Sequence, residues 1–455
     1  MRDRELYARL LGIAAPWQVQ DVELRLDDGE VLVRLAPAGA AFCCPRCGAA
    51  APGYDARERR WRHLDTCQYR TIVIADVPRV HCATHGVVQV AVPWAEAGAR
   101  FTALFEALVI DWLHEASLTA VARRLQLSWD EVDGIQQRAV ARGLARRAAV
   151  CPQRIGVDET AFQKHHEYVT VVCDLERDVV LHVADDRQER SLSAFYDTLG
   201  PAGCTALEVI AMDMWRPYIA ATRAAVPEAD RKIVFDKFHV ARLLSLALDK
   251  VRATEHRALR AMGGSPLAGT KYWWLANGDR MDAARWRQFG ALRTSTLKTA
   301  RAWALKEVAM QCWQYVRRGW AVKAWTKWFA WAARCRLPPM QAVAQTIRKY
   351  LWGILNASVS GATNARAEGL NSRIQAIKRR ACGYRNRERF RHAIYFHLGG
   401  LELYPERLTP AHLLPCDGHR SPTSVMPPRA VPFCTVAPLD ARCERASWSR
   451  HGFHE

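Results

Sequence analysis

Between residues 154 and 259 the hydrophobic pattern changes its period in an order that few folds accept. Segments 154–162, 167–175 and 179–184 are β-rich runs separated by short polar turns, the pattern of a meander. Segment 191–199 then reads as a helix, 207–213 as a strand, 215–226 as a helix, 232–236 as a strand and 238–259 as a long helix. Three strands, helix, strand, helix, strand, helix predicts an α/β domain.

Two of these strands carry an acid where a short apolar run stops, and each is expected near a strand end. Asp158 closes Arg154-Ile-Gly-Val-Asp158, and Asp213 closes Leu207-Glu-Val-Ile-Ala-Met-Asp213. A third acid, Glu368, falls in Asn364-Ala-Arg-Ala-Glu368-Gly-Leu-Asn371, which reads as a helix. Asn364, Glu368 and Asn371 are spaced i, i+4, i+7, so one helix face presents an acid between two amides. Acids at two strand ends and on one helix can hold a pair of divalent metals, which stabilise both oxygens of an in-line phosphoryl displacement. With a net charge of +19, that chemistry points to cutting or joining nucleic acid. Asp236 is the rival acid, ending a strand with His239 close behind. A strand-terminal Asp can cap the next helix, and a cap or a DNA-positioning role is favoured over metal ligation. Glu159 alternates to the opposite strand face.

The 455 residues allow two to four units with their own cores. Half are hydrophobic and 24% charged, a globular profile. The sequence pI of 9.6 favours a polyanionic partner. No apolar run reaches the roughly 18 residues of a spanning helix, and Met1-Arg-Asp-Arg-Glu5 does not resemble a signal peptide. The expectation is a chain that stays where it is made, without a membrane partner. Fourteen cysteines there imply metal ligation and buried thiols rather than disulfides.

Within 1–100, Val22-Glu-Leu-Arg-Leu26 and Val31-Leu-Val-Arg-Leu35, bridged by Asp27-Asp-Gly29, signal a hairpin. Cys44-Pro-Arg-Cys47 and Cys82-Ala-Thr-His85 are two ligand pairs, each with two intervening residues, which suits one tetrahedral zinc. Cys43 and Cys67 are left out of that set. Segment 101–150 is helical, and Ser128-Trp-Asp-Glu131 supplies a capping box. Its two short helices joined by a turn read as a helix-turn-helix. The helix from Ser128 is the candidate reader, with Gln136, Gln137 and Arg138 as base or phosphate contacts. The alternative is an ordinary helical pair.

Segment 260–350 is basic, helical and rich in tryptophan, with Trp325, Trp328 and Trp331 at helical spacing. These rings are expected to pack a helical subdomain; the other reading is a DNA-contacting insertion that stacks on unpaired bases. Segment 351–404 resumes the α/β domain. From Ala362 to His392 it carries nine Lys or Arg against two acids, and Lys378-Arg-Arg380 is a candidate phosphate contact. Segment 405–455 holds eight of the 21 prolines and reads as an irregular tail.

The chain resembles the bacterial insertion-sequence transposases of the ISL3 family, which carry an Asp-Asp-Glu catalytic triad. The resemblance runs from about Cys43 to Leu401. It rests on Cys44-Pro-Arg-Cys-Gly48, Trp61-Arg-His-Leu-Asp65, Val80-His-Cys-Ala-Thr-His-Gly86, Ile155-Gly-Val-Asp-Glu-Thr-Ala161, Phe235-Asp-Lys-Phe-His-Val240 and the segment from Asn364 to Ser372. It implies a ribonuclease-H-like catalytic domain (151–259 and 351–404) interrupted by the helical insertion. Asp158, Asp213 and Glu368 are then the catalytic acids on two magnesium ions, and Cys44, Cys47, Cys82 and His85 form a zinc-finger-like site. Double-stranded DNA is the implied partner, at element ends and at target. Pairing two ends implies self-association, in the bacterial cytoplasm at the nucleoid. A junction resolvase shares the acids, and a zinc/helix-turn-helix regulator shares only the binding modules; these stand as the alternatives.

Overall fold

A computed structural model describes residues 3–13, 15–39, 42–163, 167–276, 283–361 and 365–406. Asn364 and nearly all of the proline-rich tail lie outside the described residues.

A short helix α1 (Asp3–Leu10) precedes an antiparallel hairpin of β1 (Trp17–Arg25) and β2 (Glu30–Pro37), at the place the alternating runs predict. Strands β3 (Gly53–Arg62), β4 (Arg70–Cys82) and β5 (Gly86–Gln89) complete the sheet. Its order is β1-β2-β4-β3, with β5 also on β4; β2 and β4 run parallel. Trp94 closes its core by meeting Trp17 and Trp61 edge-on, at 4.9 and 5.4 Å between centroids.

Helices α2 (Ala103–Glu115), α3 (Leu118–Leu125) and α4 (Trp129–Arg146) follow, capped by the side chains of Thr102, Ser117 and Ser128. The Ser128/Glu131 capping box is formed as predicted. The turn into α4 passes through Gln126 in the left-handed region.

The second sheet holds β6 (Arg154–Gln163), β7 (Glu167–Asp174), β8 (Val179–Ala184), β9 (Val209–Met212) and β10 (Ile233–Phe235) in the order β10-β9-β6-β7-β8. β6, β7 and β8 are the antiparallel meander, whereas β9 and β10 run parallel to β6. Helices α5 (Glu189–Ala206), α6 (Arg216–Ala225), α7 (Ala229–Lys232) and α8 (Lys237–Ala261) connect and follow these strands, in the order read from periodicity. The insertion is α9 (Lys271–Leu275), α10 (Ala283–Arg293), α11 (Lys298–Gln311), α12 (Arg318–Arg334) and α13 (Pro338–Lys349). The chain returns through α14 (Leu351–Ser360), α15 (Ala365–Arg380) and α16 (Arg387–Leu398). A Cβ on Gly353 would sit 2.5 Å from the Phe235 ring, so glycine is what lets α14 lie on β10.

Alternation along the strands divides the core in two. One face of the second sheet, with Val157, Met212 and Phe235, joins α5, α6 and α8 to the insertion, whose Trp274, Trp325 and Trp328 are buried. The opposite face, with Phe162, Val171 and Val234, shares a core with α2–α4, α15 and α16. The helix-turn-helix segment is therefore built onto the sheet. Packing also takes in Trp273, Trp286, Trp303 and Trp313, but not Trp331, which is 38% exposed, or Trp320, at 57%.

Candidate active site and metal sites

Strand register creates the acidic cluster. Val157 pairs with Met212 across parallel β6 and β9, and Phe235 pairs with Met212 across β10 and β9. The next residue on each line is an aspartate: Asp158, Asp213 and Asp236. Contrary to the expectation of a nearby strand end, Asp158 lies mid-strand. β6 continues to Gln163 because β7 pairs with it throughout. Ligand atoms of Asp158, Asp213 and His239 lie within 4.8 Å of one another. His239 belongs to the first turn of α8, and its Nε2 stands 2.5 Å from Asp213 Oδ1. That contact pairs the imidazole with the Asp213 carboxylate at the end of β9.

Helix α15 is laid along β6 by three side chains on one face. Asn371 Nδ2 donates to Asp158 Oδ2 at 2.6 Å, Gln375 Nε2 to Thr160 Oγ1 at 2.6 Å, and Lys378 Nζ to the Ala161 carbonyl at 2.9 Å. Glu368 sits in the first turn of the same helix, half-buried. Its carboxylate does not join the 4.8 Å group. Burial raises its pKa, and the negative charge of Asp236 adds to that. Asp236 caps α8, accepting from Phe238 N at 2.9 Å. The cap reading and the geometry agree.

The electrostatics are those of a site short of positive charge. Burial lifts the Asp158 carboxyl to about 7, with the charge of Asp213 adding to it. Burial alone would lower His239, but Asp213, Asp158 and Asp236 outweigh it and raise its pKa. Carboxylates crowded out of water favour a cation between them. The converging carboxylate oxygens of Asp158 and Asp213 are the donors a hard divalent metal takes.

The second cluster is Cys44, Cys47, Cys82 and His85, also within 4.8 Å. Cys44 Sγ and Cys82 Sγ each lie 3.6 Å from His85 Nδ1, and Cys47 Sγ lies 3.7 Å from Cys82 Sγ. Zn–S bonds of about 2.3 Å and Zn–N bonds of about 2.0 Å at tetrahedral angles imply edges of about 3.5–3.8 Å, so the four donors fit. Each ligand pair is followed by a glycine at positive φ, Gly48 (70°) and Gly86 (67°), which closes its knuckle. Hydrogen bonds from the His85 backbone and side chain and the Thr84 backbone lower Cys82 to about 6, toward the thiolate a metal needs. Cys43 and Cys67 are exposed and outside the group.

The proposed reader residues on α4 are placed differently. Gln136 is only 2% exposed, in the core beside Ile377 and Tyr384. Gln137 bonds Asp133 at 2.8 Å, and Arg138 is held by buried Glu106 through Nε at 3.1 Å. Gln136 as a base contact is thus corrected: α15 and the turn after it cover a face of α4 that an isolated helix-turn-helix would expose. The cations that face solvent here are Arg123 and Arg124 on α3, beside half-exposed Trp112. Of the basic run on α15, Lys378 bonds β6 and Arg380 bonds the His114 carbonyl at 3.0 Å, while Arg379 is exposed.

Sequence reasoning missed Arg187, in the loop before α5. Its guanidinium lies between the rings of Trp215 and Tyr168, at 4.9 and 5.0 Å, and reaches Glu159 at 3.4 Å. Trp215, two residues after Asp213, was a visible signal; Arg187, 26 residues before Asp213, gave none.

A transposase family model matches residues 155–394, more than half the chain. The chain belongs to the ISL3 family of transposases. A model described as the helix-turn-helix domain of transposase family ISL3 matches 90–140, and a zinc-finger model of transposases IS204/IS1001/IS1096/IS1165 matches 40–85. The transposase for insertion sequence element IS1557 of Mycobacterium tuberculosis is 29% identical over 422 residues, covering 85% of this chain and 93% of the relative. The transposase for IS1001 of Bordetella parapertussis is 28% identical over 399 residues, covering 86% and 97%. This ISL3-family chain is thus an enzyme that acts on DNA, and its zinc-finger match and four-ligand cluster together support a structural zinc. Among the described residues no helix is long and apolar enough to cross a membrane.

Proposed function

We propose that this transposase cuts and rejoins DNA at the terminal inverted repeats of an insertion sequence, using Asp158, Asp213 and Glu368 to hold two magnesium ions. The observation that carries the reading is the register that sets Asp158 and Asp213 side by side, their ligand atoms within 4.8 Å of one another. When bound, the metals supply the charge that activates water or a 3′-hydroxyl and stabilises the leaving oxygen. Asn371 orients Asp158 from α15, and His239 holds Asp213 from α8. Glu368 approaches from the helix opposite. No side chain serves as nucleophile, so no covalent protein–DNA intermediate forms. The zinc module and α2–α4 engage the repeats, and two protomers associate to pair the ends.

The test is a strand-transfer assay with paired ends. Asp158→Asn, Asp213→Asn and Glu368→Gln are each expected to reduce cleavage to background while end binding persists, since each removes a metal-binding charge and keeps the shape. Near-normal cleavage by any one of them would remove that residue from the site. Cleavage without joining by the unaltered protein would indicate a resolvase instead.

A further inference from the structure

The insertion carries most of the chain's charge. Residues 260–350 hold seventeen Lys and Arg against three acids, +14 of the total +19. After Glu307 no acid occurs until Glu368. Helix α12 crosses the middle of that acid-free stretch. Its buried side takes Trp325 and Trp328 into the core. Its solvent side presents Trp320, Lys323, Lys327, Trp331 and Arg334, all exposed. At 3.6 residues per turn these five fall in a stripe about 80° wide, and the two rings stand about 16 Å apart along the axis. Lys323 Nζ lies 5.0 Å from the Trp320 ring centre.

We propose that this stripe binds an unpaired DNA strand, its rings stacking on bases and its cations following the phosphates. Exposed tryptophan alone would suit a protein partner, but interleaved lysines without any acid favour a polyanion. A second copy of this face would be repelled by it. A paired duplex hides its base faces, whereas an unpaired strand offers them to aromatic rings. The ring spacing suits two or three nucleotides of extended strand. The inference rests on DNA being the substrate, but not on which acids cut it.

The experiment uses the full-length chain and two labelled duplexes, one blunt and one ending in an unpaired oligo(dT) arm, compared by anisotropy at matched salt. The unaltered protein is expected to prefer the forked DNA. Trp320→Ala with Trp331→Ala should weaken fork binding by roughly 5- to 150-fold per ring and leave blunt-duplex binding unchanged. Abasic nucleotides in the arm should cost the unaltered protein the same and the double variant nothing. Lys323→Gln with Lys327→Gln should weaken both DNAs and flatten the salt dependence by about two phosphate contacts. Tyrosine at both ring positions should restore much of the preference, which separates stacking from misfolding. Equal losses on fork and blunt duplex from the tryptophan pair, or no loss, overturn the proposal. So does a changed oligomeric state with fork binding intact, which would assign the face to a second copy. Asp158→Asn is read alongside: fork preference without cleavage is the expected result. Retained cleavage would count against the catalytic assignment only.

Discussion

The zinc knuckles and the acidic site assemble their ligands by different routes. The first takes four ligands from two tight turns, each finished by a left-handed glycine, and all four donors converge. The second draws on β6, β9, α8 and α15, residues up to 210 apart in the chain, and three groups converge while Glu368 stays outside the group. Turn geometry sets distances within a few residues. Sheet register sets them only as well as the strands pair, and a helix that packs from the side adds its own freedom. The local site is complete in the polypeptide, whereas on the proposed assignment the distant one leaves Glu368 to come in with metal or DNA.

The largest expected difference is in folding. Cys47→Ser should cost the N-terminal sheet its order, because structural zinc binding in small modules is worth about 10–16 kcal/mol at neutral pH. Zinc content per chain should fall from one toward zero, with loss of near-ultraviolet signal from Trp17, Trp61 and Trp94. Unchanged zinc would break the comparison on its first side.

The acidic site should behave in the opposite sense. Asp158 has a folded-state pKa of about 7 against an unfolded value of about 3.9. A raised carboxyl loses stability as pH rises, here from about 4 through about 7, and the loss is complete above that. Metal-free protein should therefore melt at lower temperature at pH 8 than at pH 5. Magnesium should recover the difference at pH 8, and Asp158→Asn should flatten the profile. A smaller effect is expected of Asn371→Ala, which frees Asp158 without removing a charge. Cleavage should fall by about tenfold, the cost of a lost hydrogen bond of about 1.4 kcal/mol, and melting should barely move. Asp236→Asn should do least, since asparagine caps about as well as aspartate. A collapse of cleavage there would move Asp236 from capping α8 to holding metal.

The sequence was most legible where structure is local. The hairpin around Asp27-Asp-Gly29, the Ser128 capping box, the strand–helix order from 154 and the ligand pairs could each be read within a dozen residues. Asp158 and Asp213 were visible as acids on apolar runs, although the first proved to be mid-strand. What could not be read is what distant segments cover. Gln136 looked available because α4 was read alone; the end of α15 and the turn after it, some 240 residues later, cover it. Arg187 is defined by rings from two other elements, and no spacing announces it.

The core that α2–α4 share with the sheet has a mechanical consequence. A DNA-binding module on a tether can reach a range of positions, whereas one rooted in the same packed interior as the cutting strands cannot swing. If Asp158 and Asp213 cut and α2–α4 read the repeat as proposed, the protein acts as a ruler, measuring a set length of DNA from the sequence held by its helices to the bond at its carboxylates. Inserting base pairs into that interval should not extend the enzyme's reach. The cut should stay at its measured distance and fall on whatever sequence now lies there, weakened by wrong bases but not displaced toward the old junction. Mapping cleavage on such lengthened ends reads the ruler directly.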